Sequence, residues 1–335
     1  MAEPGAARRD PGAGPERDGF PDRPRAPLPI AISQCLLGRA VRYDRSDAGF
    51  AFPHAALQGV FDFRGICPEV GIGLGTPRDP IRLVGDAADP RVLGVSDPSL
   101  DVTERLRDYA TEQAATLDAV AGYVFMRGSP SCGVFDVKVH PVVEGAVADS
   151  FTRSGRGAFA AAVIGARPNL PVEENGRLHD PVLRENFVVR AFVYAHWRAL
   201  ERAGLTRGRL VEFHSRHKYL LMAHSVPHYR RAGRLLAEQG ALEQRAGAYA
   251  ELLMAGLSRP PGRRGHVNVL FHLQGYFKRR LDRSGRGVLD RLIHAYRRGD
   301  VSVTEPIGQI RELLRQHPDP YLERQAYLDL YASEP

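Results

Sequence analysis

Residues 28–44 read LPIAISQCLLGRAVRYD. The apolar run from Leu28 to Ile32 stops at a serine, and a cysteine, two leucines and a glycine follow. A short apolar run bounded by turn-forming residues is the pattern of a buried strand that ends in a loop. The pattern recurs in GICPEV (65–70), GYVFMRG (122–128) and VFDVKV (134–139), while LDVTERLRDYATEQAATLDAV (100–120) has helical amphipathicity. Strands interleaved with helices predict an α/β domain whose sheet is mostly parallel and Rossmann-like.

Outward from this core the chain changes character. Residues 1–27 are crowded with Pro, Gly, Arg and Asp and lack an apolar period. They are expected to form a disordered tail, because they bury too little to offset the entropy of ordering. Residues 28–170 make up the expected α/β domain, and 171–204 a linker that contains a helix over Val182–Arg202. From Leu205 the strand pattern disappears and helical periodicity is broken by Pro227, Pro260, Pro261, Pro306, Pro318 and Pro320. Residues 205–335 are therefore expected to be all-α.

With 335 residues, 43% hydrophobic and 25% charged, the chain has the make-up of an ordinary globular protein of about two domains. No run approaches the roughly 20 apolar residues that span a bilayer, and the N-terminus has no apolar signal stretch. A cytoplasmic location with no membrane partner is expected. The three cysteines, Cys35, Cys67 and Cys132, are too few and too odd in number for a disulfide framework, which fits a reducing compartment. The net charge of +7 is uneven: residues 205–335 hold 22 Lys and Arg against 13 Asp and Glu. Such asymmetry marks either a polyanion-binding half or a merely solvated basic surface.

All three cysteines fall where an apolar run yields to Gly, Pro or Ser, at the expected carboxyl ends of strands, the edge at which open α/β sheets bind ligands. They lie in SQCLLGRAVRYD, CPEVGIGLGTPRDP and RGSPSCGVFD. No C-x2-C pair exists, so a local zinc knuckle is excluded; the remaining alternatives are a shared site or three cysteines that pack as small hydrophobes. The Gly71, Gly73, Gly75 series leads into a Pro-bounded turn instead of a helix and no Walker A motif occurs, so neither ATP nor a dinucleotide is expected.

Through S-x-C-L-L-G-x-x-V-R-Y-D, C-P-E-V and S-P-S-C-G, residues 28–170 resemble the bacterial thiouracil desulfidases. The C-terminal part, with FHSRHKYLLMAH and GHVNVLFHLQGYFKRRL, is similar to a second family of domains often fused to the first. The fusion resembles the RNA 4-thiouridine desulfidases, whose helical domain is thought to bind tRNA. The resemblance implies that Cys35, Cys67 and Cys132 ligate a [4Fe–4S] cluster with one iron left open, and that the substrate is a thiolated pyrimidine. On that reading water displaces sulfide without net redox change, and a proton acceptor must lie close by. Glu69, two residues beyond Cys67, is the expected general acid/base. Ser129 is expected to orient the water or the base, with Ser131 the lesser candidate, and Tyr43 and Asp44 to line the pocket. One departure occurs: Arg45 and Ser46 stand where the family often has glycines.

In the helical half, His214, His217 and His224 fall on one stripe of an expected helix beside Lys218. A second expected helix carries Asn268, His272 and Arg279 on a polar stripe opposite Leu270, Leu273, Phe277 and Leu281, with Tyr276 nearby and Lys278, Arg279 and Arg280 at a basic end. Imidazoles, guanidiniums and tyrosines are the groups that RNA contacts use, so these are the expected tRNA-binding residues. The competing readings are an enzyme for a free thiolated base or nucleotide, a non-catalytic iron–sulfur RNA sensor, and three structural cysteines with buried histidines.

Overall fold

The computed structural model describes residues 21–22, 24–44, 53–281 and 283–331. Most of the expected tail, together with Arg45 and Ser46, lies outside the described residues. The strands are β1 (Leu28–Ser33), β2 (Phe61–Ile66), β3 (Ile81–Val84), β4 (Arg91–Gly94), β5 (Tyr123–Phe125), β6 (Val137–His140), β7 (Val142–Val143), β8 (Ala146–Val147), β9 (Thr152–Gly155) and β10 (Val172–Glu174). Five helices fall among them: α1 (His54–Leu57), α2 (Pro68–Gly71), α3 (Thr103–Glu112), α4 (Ala114–Asp118) and α5 (Ala158–Ala166). Then follow α6 (Pro181–Arg202), α7 (Arg207–His224), α8 (Val226–Ala237), α9 (Leu242–Leu257), α10 (Arg263–Gln274), α11 (Arg283–Arg298), α12 (Thr304–Gln316) and α13 (Ala326–Leu330).

Four strands form an all-parallel sheet in the order β10-β5-β1-β2. Leu28, Ile30, Ala31 and Ile32 are all buried, which is why β1 reads as a continuous apolar run: it is covered on both faces. From β1 the chain crosses to one side to make β2 and later to the other to make β5, so β1 lies at a topological switch point. The VFDVKV segment enters a second, mixed sheet of order β4-β3-β6-β9 instead of extending the first. Its alternation of buried Val137 and Val139 with exposed Lys138 is that of a sheet with one wet face.

The C-terminal half is helical. Helix α6 joins it to the sheet: Asp180 caps it by accepting from the Val182 and Leu183 amides at 2.8 and 3.2 Å, and Pro181 occupies its first position. Its Phe187 and Ala191 pack with Ile30 and Val124 of the parallel sheet. Its Val189, Val193, Trp197 and Leu200 pack with the residues of α7 and α9. Among the described residues no helix is long and apolar enough to cross a membrane.

Phe187 is fully buried and meets Phe61 edge-on at 5.7 Å. Phe187→Ala is expected to cost about 3–5 kcal/mol, read as a lowered denaturant midpoint in urea unfolding.

Candidate active site

Three adjacent parallel strands deliver the cysteines to one edge. Cys35 follows β1 in a single 3-10 turn, Gln34–Leu37. Cys67 follows β2 as the N-cap of α2, with Pro68 at that helix's first position. Gly71 closes α2 against Tyr109 so tightly that a methyl group there would fall 2.2 Å from the phenol ring. Cys132 lies in the loop after β5, which is fastened from several sides. The Gly133 amide donates to Ser129 O at 2.7 Å, the Gly157 amide to Gly133 O at 2.8 Å, and the Ala160 amide to Ser131 O at 3.1 Å. The Glu174 carboxylate accepts from the amides of Val134 and Phe135 at 2.8 and 3.0 Å. A methyl group at Gly157 would sit 2.5 Å from the Ser131 carbonyl, so glycine is required where α5 begins.

Cys35, Cys67 and Cys132 line one cavity of about 210 Å³ together with Tyr43, Glu69 and Ser129. Burial pushes the Cys35 thiol up to about 11, with a further push from the charge of Cys67. The Cys67 thiol is raised by burial and then by Glu69, against the Val70 amide, which lowers it. Cys132 is raised by burial, eased by a hydrogen bond from Ser33, and raised again by Glu69, Cys67 and Cys35. Burial is thus the first cause at all three thiols, and neighbouring negative charge adds to it at each.

Behind the cysteines runs a chain of oxygens. Ser131, fully buried, donates its hydroxyl proton to Glu69 Oε1 at 2.5 Å. Ser131 Oγ lies 2.9 Å from Ser129 Oγ, and because the Ser131 proton is committed to the carboxylate, Ser129 is the donor in that pair. Ser129 Oγ in turn accepts from the Cys132 amide at 3.1 Å. The other carboxylate oxygen, Oε2, accepts from Arg78 Nε at 2.9 Å and from Arg78 Nη2. Arg78 is itself anchored to the carbonyls of Val41 (3.0 Å) and Gly75 (2.8 Å). Glu69 is therefore fixed at the cavity wall with one oxygen tied to a cation and the other to a hydroxyl.

Residues 30–175 match the 2-thiouracil desulfurase family, and residues 218–332 match DUF1722, a family of unknown function. Over 150 residues the chain is 35% identical to Uncharacterized protein YbgA of Escherichia coli (strain K12), covering 44% of this chain and 89% of that relative. A solved structure, the [4Fe-4S]-dependent thiouracil desulfidase TudS, is 26% identical with a TM-score of 0.35, covering 47% of this chain and 97% of that one. The chain belongs to the thiouracil desulfidase family, with a DUF1722 domain fused behind the desulfidase part.

In this chain the expected pocket residues separate. Tyr43 lies on the cavity wall, and its carbonyl accepts from the Arg78 amide at 3.0 Å. Asp44 is exposed and off the wall, and Ser131 is off the wall too, linking Ser129 to Glu69 from behind. Sequence reasoning missed Arg78, Arg42 and Ser33. Arg78 and Arg42 both line the cavity, and among the described residues the buried Arg42 Nε has no hydrogen-bond partner. Ser33 sits two residues before Cys35 but serves Cys132 instead, and its Oγ accepts from the Met126 amide at 3.0 Å. Ser33 and Arg42, both inside the first cysteine motif, carried a local signal.

The three histidines of the α7 stripe make their contacts within the helical half. His217 is 1% exposed and stacks on Phe213 at 4.0 Å, its Nδ1 donating to Phe213 O at 2.8 Å. His214 hydrogen-bonds the Tyr249 hydroxyl at 3.2 Å. His224 donates from Nδ1 to Arg259 O at 2.8 Å and accepts at Nε2 from the Tyr331 hydroxyl at 2.9 Å. The reason is packing: α8, α9, α10 and α13 surround α7, and the run Tyr219–Ala223 is buried all round. Lys218 lies over the rings of Tyr219 and Tyr321 at 5.2 and 5.1 Å.

The second expected helix is also shorter than its pattern. Helix α10 ends at Gln274 and a 3-10 turn, Gly275–Phe277, follows, so Arg279 leaves the stripe of Asn268 and His272. Asn268 and His272 are exposed, as is Tyr276, whose hydroxyl meets that of Tyr219 at 3.1 Å. Lys278 and Arg279 are exposed as well. Arg280 donates to the carbonyls of His317 and Pro318 and pairs with Asp319 at 3.3 Å.

Burial pushes His214 and His224 down to about 4 and His266 down to about 3, against a usual imidazole value near 6.5. Below pH 6.5 the unfolded chain then binds protons that the folded chain refuses, so stability is lost as pH falls from 6.5 toward 4. Urea midpoints measured across that range are expected to drop, and His224→Gln to flatten the drop by up to about 1 kcal/mol per pH unit.

Proposed function

We propose that this chain hydrolyses 4-thiouridine in tRNA to uridine, at a [4Fe–4S] cluster held by Cys35, Cys67 and Cys132. The observation that carries the reading is one cavity at the carboxyl edge of three adjacent strands that holds all three thiols beside Glu69 and Ser129. The donor set fits the cluster. Cys35 and Cys132 are buried and Cys67 half-buried on one cavity wall, and thiolate is the usual iron–sulfur ligand. When bound through three protein ligands, such a cluster supplies an open, thiophilic Lewis-acid position for the thiocarbonyl sulfur.

The chain's own groups handle the proton. Water adds to the ring carbon and the sulfur leaves as sulfide, so a thiocarbonyl and water become a carbonyl and hydrogen sulfide with no electrons exchanged. The water's proton passes to Glu69, directly or by way of Ser129 Oγ and Ser131 Oγ, since those bonds already point toward Oε1. Arg78 holds the carboxylate in place while it does so. A reducing, cytoplasmic setting suits the free thiols, and the basic C-terminal half supplies attraction for the tRNA backbone.

Anaerobic reconstitution followed by iron and sulfide analysis, with an assay on thiolated tRNA, tests the core of this reading. Four irons and four sulfides per chain are expected, and Cys132→Ala is expected to lose both metal and activity. Glu69→Gln is expected to keep the iron and to lose about 10²–10⁴-fold in rate; wild-type turnover in that variant would move the proton chemistry to another group.

The RNA part of the reading has its own readout. Replacing Lys278 and Arg279 together by Ala is expected to weaken tRNA binding and to flatten its salt dependence by up to about two units, one for each phosphate that is no longer neutralised. Filter binding across a salt series measures both. A wild-type chain that bound no RNA yet desulfurated a free thiolated nucleotide would shift the substrate to the small molecule.

A further inference from the structure

Beside the cavity the desulfidase domain displays a patch that the chemistry above leaves unused. Phe135, three residues beyond Cys132, is 40% exposed. The Arg177 guanidinium lies over its ring, 5.1 Å from the centroid. Arg127, which lines the cavity and is exposed, runs along the backbone next to Arg177: a methyl group at Gly176 would lie 3.3 Å from its Cδ. An aromatic ring and two guanidiniums thus form a continuous strip that starts at the cavity wall and leads outward.

The strip is held firmly from beneath. The Phe135 amide is bound by the buried carboxylate of Glu174, and the Arg127 amide donates to Asn175 Oδ1 at 2.8 Å. Arg177 Nε donates to the buried Glu173 at 2.7 Å, which fixes the guanidinium that covers the ring. Three consecutive residues at the end of β10 therefore anchor the strip. A fixed, exposed ring flanked by cations is the combination by which proteins hold single-stranded nucleic acid: the ring stacks on a base and the cations meet phosphate.

We propose that Phe135, Arg177 and Arg127 form a ledge for the nucleotide adjoining the thiolated one in a ribonucleotide chain. The neighbouring base stacks on Phe135, and the phosphate between the two nucleotides lies against the guanidiniums. The ledge rests on the reading that the thiolated base is presented in RNA, and it places part of the RNA recognition on the desulfidase domain itself.

The test uses the full-length, cluster-loaded chain with two substrates, a short single-stranded oligoribonucleotide containing one 4-thiouridine and the free nucleoside 4-thiouridine. Phe135→Ala is expected to raise KM for the oligonucleotide about tenfold with kcat little changed, and to leave nucleoside turnover as it was. Phe135→Tyr, which keeps a stacking face, is expected to restore the oligonucleotide KM, and Arg177→Gln to reduce its salt dependence. Fluorescence anisotropy with the same oligonucleotide lacking sulfur is expected to show the same loss of affinity, independent of turnover. Phe151 is a built-in control, being 43% exposed and flanked by Lys138 and Arg153 but carried beside the second sheet; Phe151→Ala is expected to change nothing.

Equal weakening of both substrates by Phe135→Ala, an unchanged oligonucleotide KM, or the same loss in Phe151→Ala would each overturn the ledge while wild-type activity on the oligonucleotide stood. A wild type that consumed the nucleoside and neither bound nor consumed the oligonucleotide would overturn the RNA reading first, and the ledge with it.

Discussion

A parallel sheet sends the ends of all its strands to the same edge, and the architecture of this protein depends on that constraint. With β1 between β2 and β5, the residues that follow three different strands meet at one place although they lie 32 and 65 positions apart in the chain. An antiparallel arrangement would have sent the middle cysteine to the opposite end. The second consequence of the shared edge is crowding. Three thiols, a carboxylate and several guanidiniums line one small cavity, where burial first and neighbouring charge second raise Cys35 and Cys132.

The two halves are bound by a helix instead of a tether. Helix α6 presents one apolar face to the parallel sheet and another to the helices, so that a single apolar core runs from β1 to the C-terminal helices. A sheet edge that carries chemistry and a helical half that carries positive charge are thereby held in a fixed relation. A flexible linker would leave the geometry between the two halves undefined.

Much of this was legible in the amino-acid order, and what was not has physical reasons. The strand ends, the cysteines beyond them and the nearness of Glu69 and Ser129 could be read because they depend on chain neighbours. Arg78 could not, since its partner lies across a turn and nothing about a Gly- and Pro-flanked arginine announces a buried ion pair. The packing of the α7 histidines could not be read, because a polar stripe on a helix looks the same from sequence whether it meets solvent or other helices. His217 in fact spends its polarity on Phe213 O and on His196. The basic run after α10 misled in another way: Gly275 ends the regular helix, so a stripe extrapolated through it points the wrong way. The mixed second sheet was hidden because a strand pattern carries no record of which sheet the strand will join.

The carboxylate of Glu174 has a consequence for how the protein is made. It clasps the amides of Val134 and Phe135 across 40 residues of chain, and it belongs to β10, the last strand to join the parallel sheet. On a ribosome adding about 5–20 residues per second, Cys132 emerges roughly 2–8 seconds before the group that fastens its loop. During that interval all three thiols exist on a nascent chain whose cavity is unfinished. Before Glu174 docks the Cys132 loop is loosely tethered; afterwards it is closed. The order of synthesis thus separates the arrival of the three thiols from the completion of the cavity that orients them.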